Sequence, residues 1–477
     1  MTDAAQSTIM SLMTLPSVEQ LDRLSRDELL ALVKSLIIVI ERQQQQIAEW
    51  EAEIAKLRQP PAHSSNSSQP PSRDQKGNSP SHKRRKKHGP PFGHPQYSRP
   101  LVKNPDRVIA APVAECEHCH ANLKGLDPDA VIRRQITELP VAKVIVMETQ
   151  QHKVTCPQCQ TVNYGALAVG LEAERYFGPN LEATVVFYKQ TQHLSYERIV
   201  ETMRDLHGVQ LSEGAVAAIL ERAGEKAQPV AEHIKGQVIT GQVVKSDETS
   251  ARVKAGNWWH WVFIGAAGVY HTIVPTRGAA EIKTVMGSLW VEVWVCDCFS
   301  AQLTAPAKVF QLCLAHQLRD LQRVIDAYPQ EHWAIAMQAL FRDAIHLRNR
   351  FEEMKRVGFK RRVTQIENQL DRLLEEPVLS NAARKLRNRY WKHRHKLLTF
   401  LYYPEVPPTN NVSEQALRGS VVHRKVTNGF RSEWGAKAYA ALQTVIATAK
   451  HKGEEVFQAL VKLMGTPVLP FLEGSSP

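Results

Sequence analysis

Residues 407–435 read PPTNNVSEQALRGSVVHRKVTNGFRSEWG: a Pro-Pro breaker, a Thr-Asn-Asn turn, then Glu414 at the start of a helix-compatible run. On a helix, Arg418 lies one turn beyond Glu414, and Lys425 returns to the same face further on. A carboxylate followed by cations suits a site where an acid holds a divalent metal and the cations hold nucleic-acid phosphates. A lone Glu fits a solvated surface equally well, so the reading depends on upstream acids. Two apolar, strand-like runs supply them, QVVKSD ending at Asp247 and VEVWVCD ending at Asp297. One strand-end Asp is ordinary turn or cap chemistry. Two of them can meet at one edge of a sheet, and with Glu414 they favour a site. Glu248 competes with Asp247, because neighbours on a strand point to opposite faces, and alternation alone leaves the choice open.

A second constellation is Cys116-Glu-His-Cys119 and Cys156-Pro-Gln-Cys159, on either side of a stretch expected to form strands at 131–139 and 141–150. Two Cys-x-x-Cys turns offer four thiolates to one tetrahedral Zn2+, and so small a segment needs the metal to fold. Four Cys suffice, so His118 and His120 are bystanders in this reading. The other thiols include Cys313, which with His316 makes a further Cys-x-x-His; with no second pair nearby, these read as a core thiol and a helix-start histidine.

The elements that position these groups follow from periodicity. Val33, Ile40, Ile47 and Ile54 recur every seven residues, with Leu29, Leu36, Gln43, Trp50 and Leu57 in the other seam position. This predicts a coiled-coil oligomerisation helix over 26–58. Residues 59–100 are rich in Pro, Ser, Asn and Lys/Arg and are expected to be a disordered basic linker. Inside it Lys83, Arg84, Arg85, Lys86 and Lys87 form a phosphate-contacting run. The zinc-binding module spans 108–170. Helical patterns over 178–232, with Ser195 and Ser212 as N-caps and Gly208 as an exit, are compatible with a helix-turn-helix DNA-binding region, and equally with plain helical packing. A strand-rich core follows over 238–450, with five expected strands and a basic helical insertion at about 320–402. Gly453 breaks the next helix, and 451–477 holds a short helix and a tail.

Whole-chain numbers agree. The 477 residues carry a formal charge of +12 and are 43% hydrophobic, which bounds a multidomain α+β protein whose default partner is a polyanion. No apolar run reaches a membrane span and no signal-type start is present, so a cytoplasmic location without membrane contact is expected. Seven cysteines, four of them in the two pairs, argue for metal or free thiols over a disulfide framework.

These motifs resemble the bacterial transposases of insertion-sequence family 66. The likeness runs through the zipper-like helix, the basic linker, the double Cys-x-x-Cys module, HLSYERI leading into LSEGAV, SDETSARV at Asp247, VCDCFSAQ at Asp297, LCLAHQLRDL, and TNNVSEQALRGSVVHRKVTNGFRSEWG at Glu414. Cys298, Thr409 and Gln415 stand where members often have Gly, Asp and Arg. The resemblance implies an RNase H-like catalytic core in which Asp247, Asp297 and Glu414 are the Asp-Asp-Glu triad and ligands of Mg2+ or Mn2+, with Arg418, Arg424 and Lys425 on the flanking DNA. It implies cleavage at terminal inverted repeats and strand transfer to target DNA by a homo-oligomer, in company with two small accessory proteins. The readings set against it are a non-enzymatic zinc-containing DNA-binding regulator, which has no need of three acids, and a metal-dependent nuclease without the transfer step.

Overall fold

The computed structural model describes residues 25–57, 66, 100–139, 144–167 and 176–465. Lys83, Arg84, Arg85, Lys86 and Lys87, nearly all of the 59–100 linker and the tail beyond 465 lie outside the described residues.

In chain order the described elements begin with α1 (Arg26–Leu57), a helix of 32 residues. Next come the hairpin strands β1 (Lys153–Thr155) and β2 (Val162–Tyr164), then helices α2 (Pro179–Gln190), α3 (Tyr196–His207) and α4 (Glu213–Ile239). Strands β3 (Val243–Val253), β4 (Gly256–Ile264) and β5 (Val269–Val274) precede α5 (Ala279–Met286), and β6 (Val291–Cys296) and β7 (Ala307–Leu312) follow. The rest is helical: α6 (Leu314–Ala327), α7 (His332–Asn349), α8 (Arg356–Glu375), α9 (Asn381–Lys392), α10 (Asn411–Thr427), α11 (Glu433–His451) and α12 (Val456–Met464). The protein is therefore mixed α+β, with twelve α-helices among the described residues and a mixed sheet in the order β5-β4-β3-β6-β7. β4 and β5 are antiparallel, while β3, β6 and β7 run parallel.

The chain divides into two compact units, each assembled from separated stretches. One takes 1–74, 242–247 and 282–414; the other takes 75–241, 248–281 and 415–477.

In the first unit β6 is buried at five of its six positions, the near-continuous apolar run of a strand covered on both faces. The insertion expected from its basic helical pattern forms α6 to α9. Its own core stacks Trp333 on Tyr390, with Phe341 edge-on to the same ring at 5.5 Å. Glu331, 1% exposed, accepts from the backbone N–H and hydroxyl of Ser380, both at 2.9 Å, and so fixes the N-cap of α9.

In the second unit α2, α3, α4, α11 and α12 share one core around Val186, Ile199, Met203, Ile219, Leu442 and Leu460. The expected caps are present: the Ser195 and Ser212 hydroxyls accept from Arg198 N–H and Ala215 N–H, and Gly208 leaves α3 at φ 67°. α4 runs on to Ile239, past the expected helical region's end at 232, and Ala223, Gly224, Ala227 and Ala231 give it a buried small-residue face. The face brings Gly224 so close to α11 that a Cβ there would stand 2.4 Å from Ala438 Cβ. Along β5 the Thr444 and Thr448 hydroxyls of α11 accept from His271 N–H at 2.9 Å and Val269 N–H at 3.1 Å, which occupies amides an edge strand would otherwise leave open. His260 lies between them and α10, its ring nitrogens 2.7 Å from Ser420 Oγ and 3.0 Å from His271 Nδ1. Close by, His423 stacks on Phe430 at 4.8 Å. Burial pushes His271 and His423 down to about 3 and His260 well below its ordinary value.

Two expectations are corrected. β3 does not end at Asp247 but continues to Val253, since Ala251 and Val253 remain buried beyond it. Residues 131–139 and 144–150 form no strand; their apolar side chains, Ile132, Ile136 and Val146 among them, are exposed and offer no buried face to hold a pairing. The hairpin β1–β2 instead brackets the second Cys-x-x-Cys turn.

Candidate active site

The three acids predicted from sequence all lie in the first unit. β3 pairs with β6 in parallel, Val243 beside Val293, Val244 beside Trp294 and Lys245 beside Val295. Asp247 lies two residues beyond Lys245 on β3, and Asp297 two residues beyond its partner Val295, directly after the last residue of β6. Glu414 lies in the first turn of α10.

Asn410, 1% exposed, ties that helix start to the strands. Its side-chain amide donates to the carbonyl of Ser246 at 2.7 Å, one residue before Asp247. Its backbone N–H reaches Cys313 Sγ at 3.0 Å, at the head of α6, and its Oδ1 accepts from Ser413 Oγ at 2.7 Å. One buried amide thus sets the relative positions of β3, α6 and α10. Cys313 itself is buried, as its reading as a core thiol required.

The choice between Asp247 and Glu248, open in the sequence, is narrowed by burial. The Glu248 side chain is 1% exposed and paired with Arg277 at 2.6 Å in the second unit. Asp247 is half-buried on the opposite face of the strand.

Glu414 is held by α6. Arg319 Nη2 stands 3.1 Å from its Oε1 and 3.5 Å from its Oε2, and His316 Nε2 is 3.7 Å from Oε1. Burial, with Arg319 beside it, holds the His316 imidazole below its usual pKa against the opposing pull of Glu414 and Asp297. Its Nδ1 is buried without a hydrogen-bond partner, the kind of unsatisfied polar atom that marks functional sites. On the facing side Asp297 Oδ1 accepts from Phe299 N–H at 2.9 Å. Among the described residues no three His, Cys, Asp or Glu side chains stand close enough to hold one metal ion, these acids included. The physical reason at Glu414 is its ion pair: the carboxylate is turned to Arg319.

Arg319 is the site residue that sequence reading passed over; His316 was read as a helix-start histidine, and Asn410 only as part of a turn. Signals for all three were present. His316 and Arg319 are three apart on one helix, and an Asn directly before a helix is a preferred N-cap.

The remaining predicted residues fall as follows. Arg418 and Lys425 are exposed on α10. Arg424 instead donates to the carbonyl and hydroxyl of Ser250. The two Cys-x-x-Cys turns have one geometry: Cys116 N–H bonds Ala121 O and His120 N–H bonds Cys116 O, while Cys156 N–H bonds Thr161 O and Gln160 N–H bonds Cys156 O. His120 and Gln160 both take positive φ, 61° and 57°. Backbone N–H donors lower the pKa of Cys116, and the Thr161 hydroxyl and amide lower that of Cys159. The two pairs do not converge on one point among the described residues.

Comparison with known proteins completes the picture. The chain is 23% identical over 400 residues to the uncharacterized protein y4hP of Sinorhizobium fredii (strain NBRC 101917 / NGR234), covering 72% of this chain and 69% of that protein. A solved structure described as the Mos1 strand transfer complex is matched over 29% of this chain and 56% of that one, at 13% identity. Its TM-score is 0.11, a likeness too slight to bear on the fold. No described helix is long and apolar enough to cross a membrane. The profile of the Transposase IS66 family matches residues 174–438, a stretch that takes in all three acids and every element of the sheet, and the chain belongs to that family.

Proposed function

We propose that this chain is a DDE-type transposase that cuts DNA at the terminal inverted repeats of its element and joins the freed ends to target DNA, with Asp247, Asp297 and Glu414 as its catalytic carboxylates. The observation that carries the reading is the parallel β3–β6 register, with Asp247 and Asp297 each two residues past the Lys245–Val295 pair, together with the bond from Asn410, at the start of the Glu414 helix, to the Ser246 carbonyl. A central strand flanked by two antiparallel strands on one side and two parallel strands on the other supports an RNase H-like core.

The donor set is carboxylate oxygen alone, which fits hard Mg2+ or Mn2+ and disfavours zinc. Ions held there would supply Lewis acidity at the scissile phosphate and lower the pKa of an attacking water. The chain's own groups do the rest. Arg319 and His316 orient the Glu414 carboxylate, and Arg319 is freed to meet phosphate oxygens when Glu414 changes partner. Water attacks a phosphodiester at the element end, leaving a 3′-OH and a 5′-phosphate; that hydroxyl then attacks a target phosphodiester and expels a target 3′-oxygen, with no covalent link to the protein.

Exposed Arg418 and Lys425, together with the run Lys83, Arg84, Arg85, Lys86 and Lys87, are assigned to phosphate contacts, and the α3–turn–α4 segment to DNA reading. Cys116, Cys119, Cys156 and Cys159 are assigned to one structural Zn2+. The matched backbone geometry of the two turns supports that assignment. α1 is the homo-oligomer device, and the element's two small accessory proteins are further partners.

The test is a Mg2+-dependent cleavage and strand-transfer assay on labelled element ends, comparing wild type with Asp297→Ala. Nicking at the repeat boundary and joining to target by wild type, with binding alone by the mutant, is the expected result. Cleavage without any joining, in the presence of the accessory proteins, would identify a nuclease; equal behaviour of both proteins would remove Asp297 from the chemistry.

A further inference from the structure

A cavity of about 600 Å3 opens on the helical insertion, inside the roughly 300–1,000 Å3 span of small-ligand sites. Three rings line it, Phe351, Phe359 and Tyr402, together with two exposed cations of α8, Arg356 and Lys360; no Asp or Glu is among its lining residues. The rings are fixed. Phe351 and Phe359 meet edge to face with centroids 4.9 Å apart, and the Arg348 guanidinium covers Phe351 at 4.9 Å while donating to the Pro404 carbonyl.

Tyr402 is 57% exposed and also borders a neighbouring cleft with Glu367, which is paired with Arg394 at 3.4 Å. Its open π face suits a flat partner.

The lining chooses among partners. A simple anion would use the cations and leave the rings idle, and an apolar peptide would do the reverse. A duplex keeps its base faces stacked internally and offers only its phosphates. A strand with an unpaired base offers a π face and a phosphate a few ångströms apart, the pairing that rings beside cations recognise in single-stranded nucleic acid. We propose that this groove binds one unpaired nucleotide of a DNA strand, with the base on Tyr402 and Phe351 and the phosphate on Arg356 and Lys360. The site uses none of Asp247, Asp297 or Glu414, so it stands or falls separately from the catalytic assignment; the transposase reading supplies only the source of the strand.

The experiment uses the full chain and an oligonucleotide duplex with a short single-stranded overhang carrying one 2-aminopurine, whose fluorescence is quenched on stacking. Wild type and Asp297→Ala should quench alike. Tyr402→Ala should bind the overhang about tenfold more weakly, the scale of one lost base–aromatic stack, and abolish quenching. Tyr402→Phe, which keeps the ring and drops the hydroxyl, should stay within about threefold of wild type by the same argument. Lys360→Glu should weaken binding at low salt and converge on wild type as salt rises. Unchanged melting of each variant confirms the fold. Quenching by Tyr402→Ala equal to wild type, or equal binding of a blunt duplex, would overturn the proposal. Competition by dAMP as effective as the overhang strand would also overturn it, by making the ligand a free nucleotide.

Discussion

Asn410 holds more of the candidate site together than any acid does. It is buried, bonds Ser246, Cys313 and Ser413, and has no water to fall back on. Asn410→Ala removes the side-chain bonds and strands the Ser246 carbonyl, so it should lower stability by roughly 1–3 kcal/mol. Urea unfolding measures this, and cleavage should fall further than the stability loss alone accounts for, because the start of α10 loosens against β3. A variant with normal cleavage would show that Glu414 is positioned by other means. At this scale the sequence was partly legible. Asp297 and Glu414 announced themselves by following an apolar run and a turn. The Asp247–Glu248 choice did not, because it depends on Arg277, 29 residues from Glu248 in the loop between β5 and α5, pairing with Glu248. His316 and Arg319 were hidden for the same reason: their meaning lies in which carboxylate they face.

At the scale of elements, helices were easier to read than strands. Ser195, Ser212 and Gly208 mark local events, so the cap chemistry that predicted them is the chemistry observed. The stretch at 131–150 had strand-like composition but no partner, and composition cannot supply one. Tight packing was equally invisible. Gly224 looks like a weak point in a helix, where Ala would ordinarily gain about 1 kcal/mol. Against Ala438 the sign reverses. Gly224→Ala should destabilise the second unit, by about 1–3 kcal/mol for overpacking, and thermal melting decides between the two.

The buried imidazoles of β4, β5 and α10 set a pH window in the same unit. His271 and His423 are held near 3, below the unfolded value of about 6.5, so the unfolded chain binds protons more readily than the folded one. Their contribution is complete above about pH 6.5 and is lost progressively toward pH 3, on the order of 2 kcal/mol per ring by pH 5. Melting temperature should therefore fall steeply between pH 7 and 5, and His423→Phe should flatten that fall. An unchanged slope would mean that the rings are hydrated when charged.

For the whole molecule, α1 carries the clearest consequence of the sequence pattern. Its seam residues Leu29, Val33, Ile40 and Trp50 lie exposed along a helix of 32 residues, a stripe that a coiled-coil partner would cover. Ile40→Glu should lower the oligomer number in light scattering while leaving the melting of both compact units in place. An unchanged oligomer would assign α1 to another role. The +12 charge and the family agree on a polyanion as partner, and this much was readable from composition, since charge is a sum over residues and needs no fold.

The interleaving of the two units was not readable, because it depends on which distant stretches pack together. It also bears on how the protein is made. α4 emerges from the ribosome about 200 residues ahead of α11, the helix that packs along its small-residue face. At bacterial synthesis rates that is roughly 10–40 s during which part of a finished helix waits for its complement. The second unit cannot close until its last segment, 415–477, is translated, so α4 carries uncovered small-residue surface through that wait. A message broken between α4 and α11 leaves that face without its complement and the product a client for chaperones and proteases.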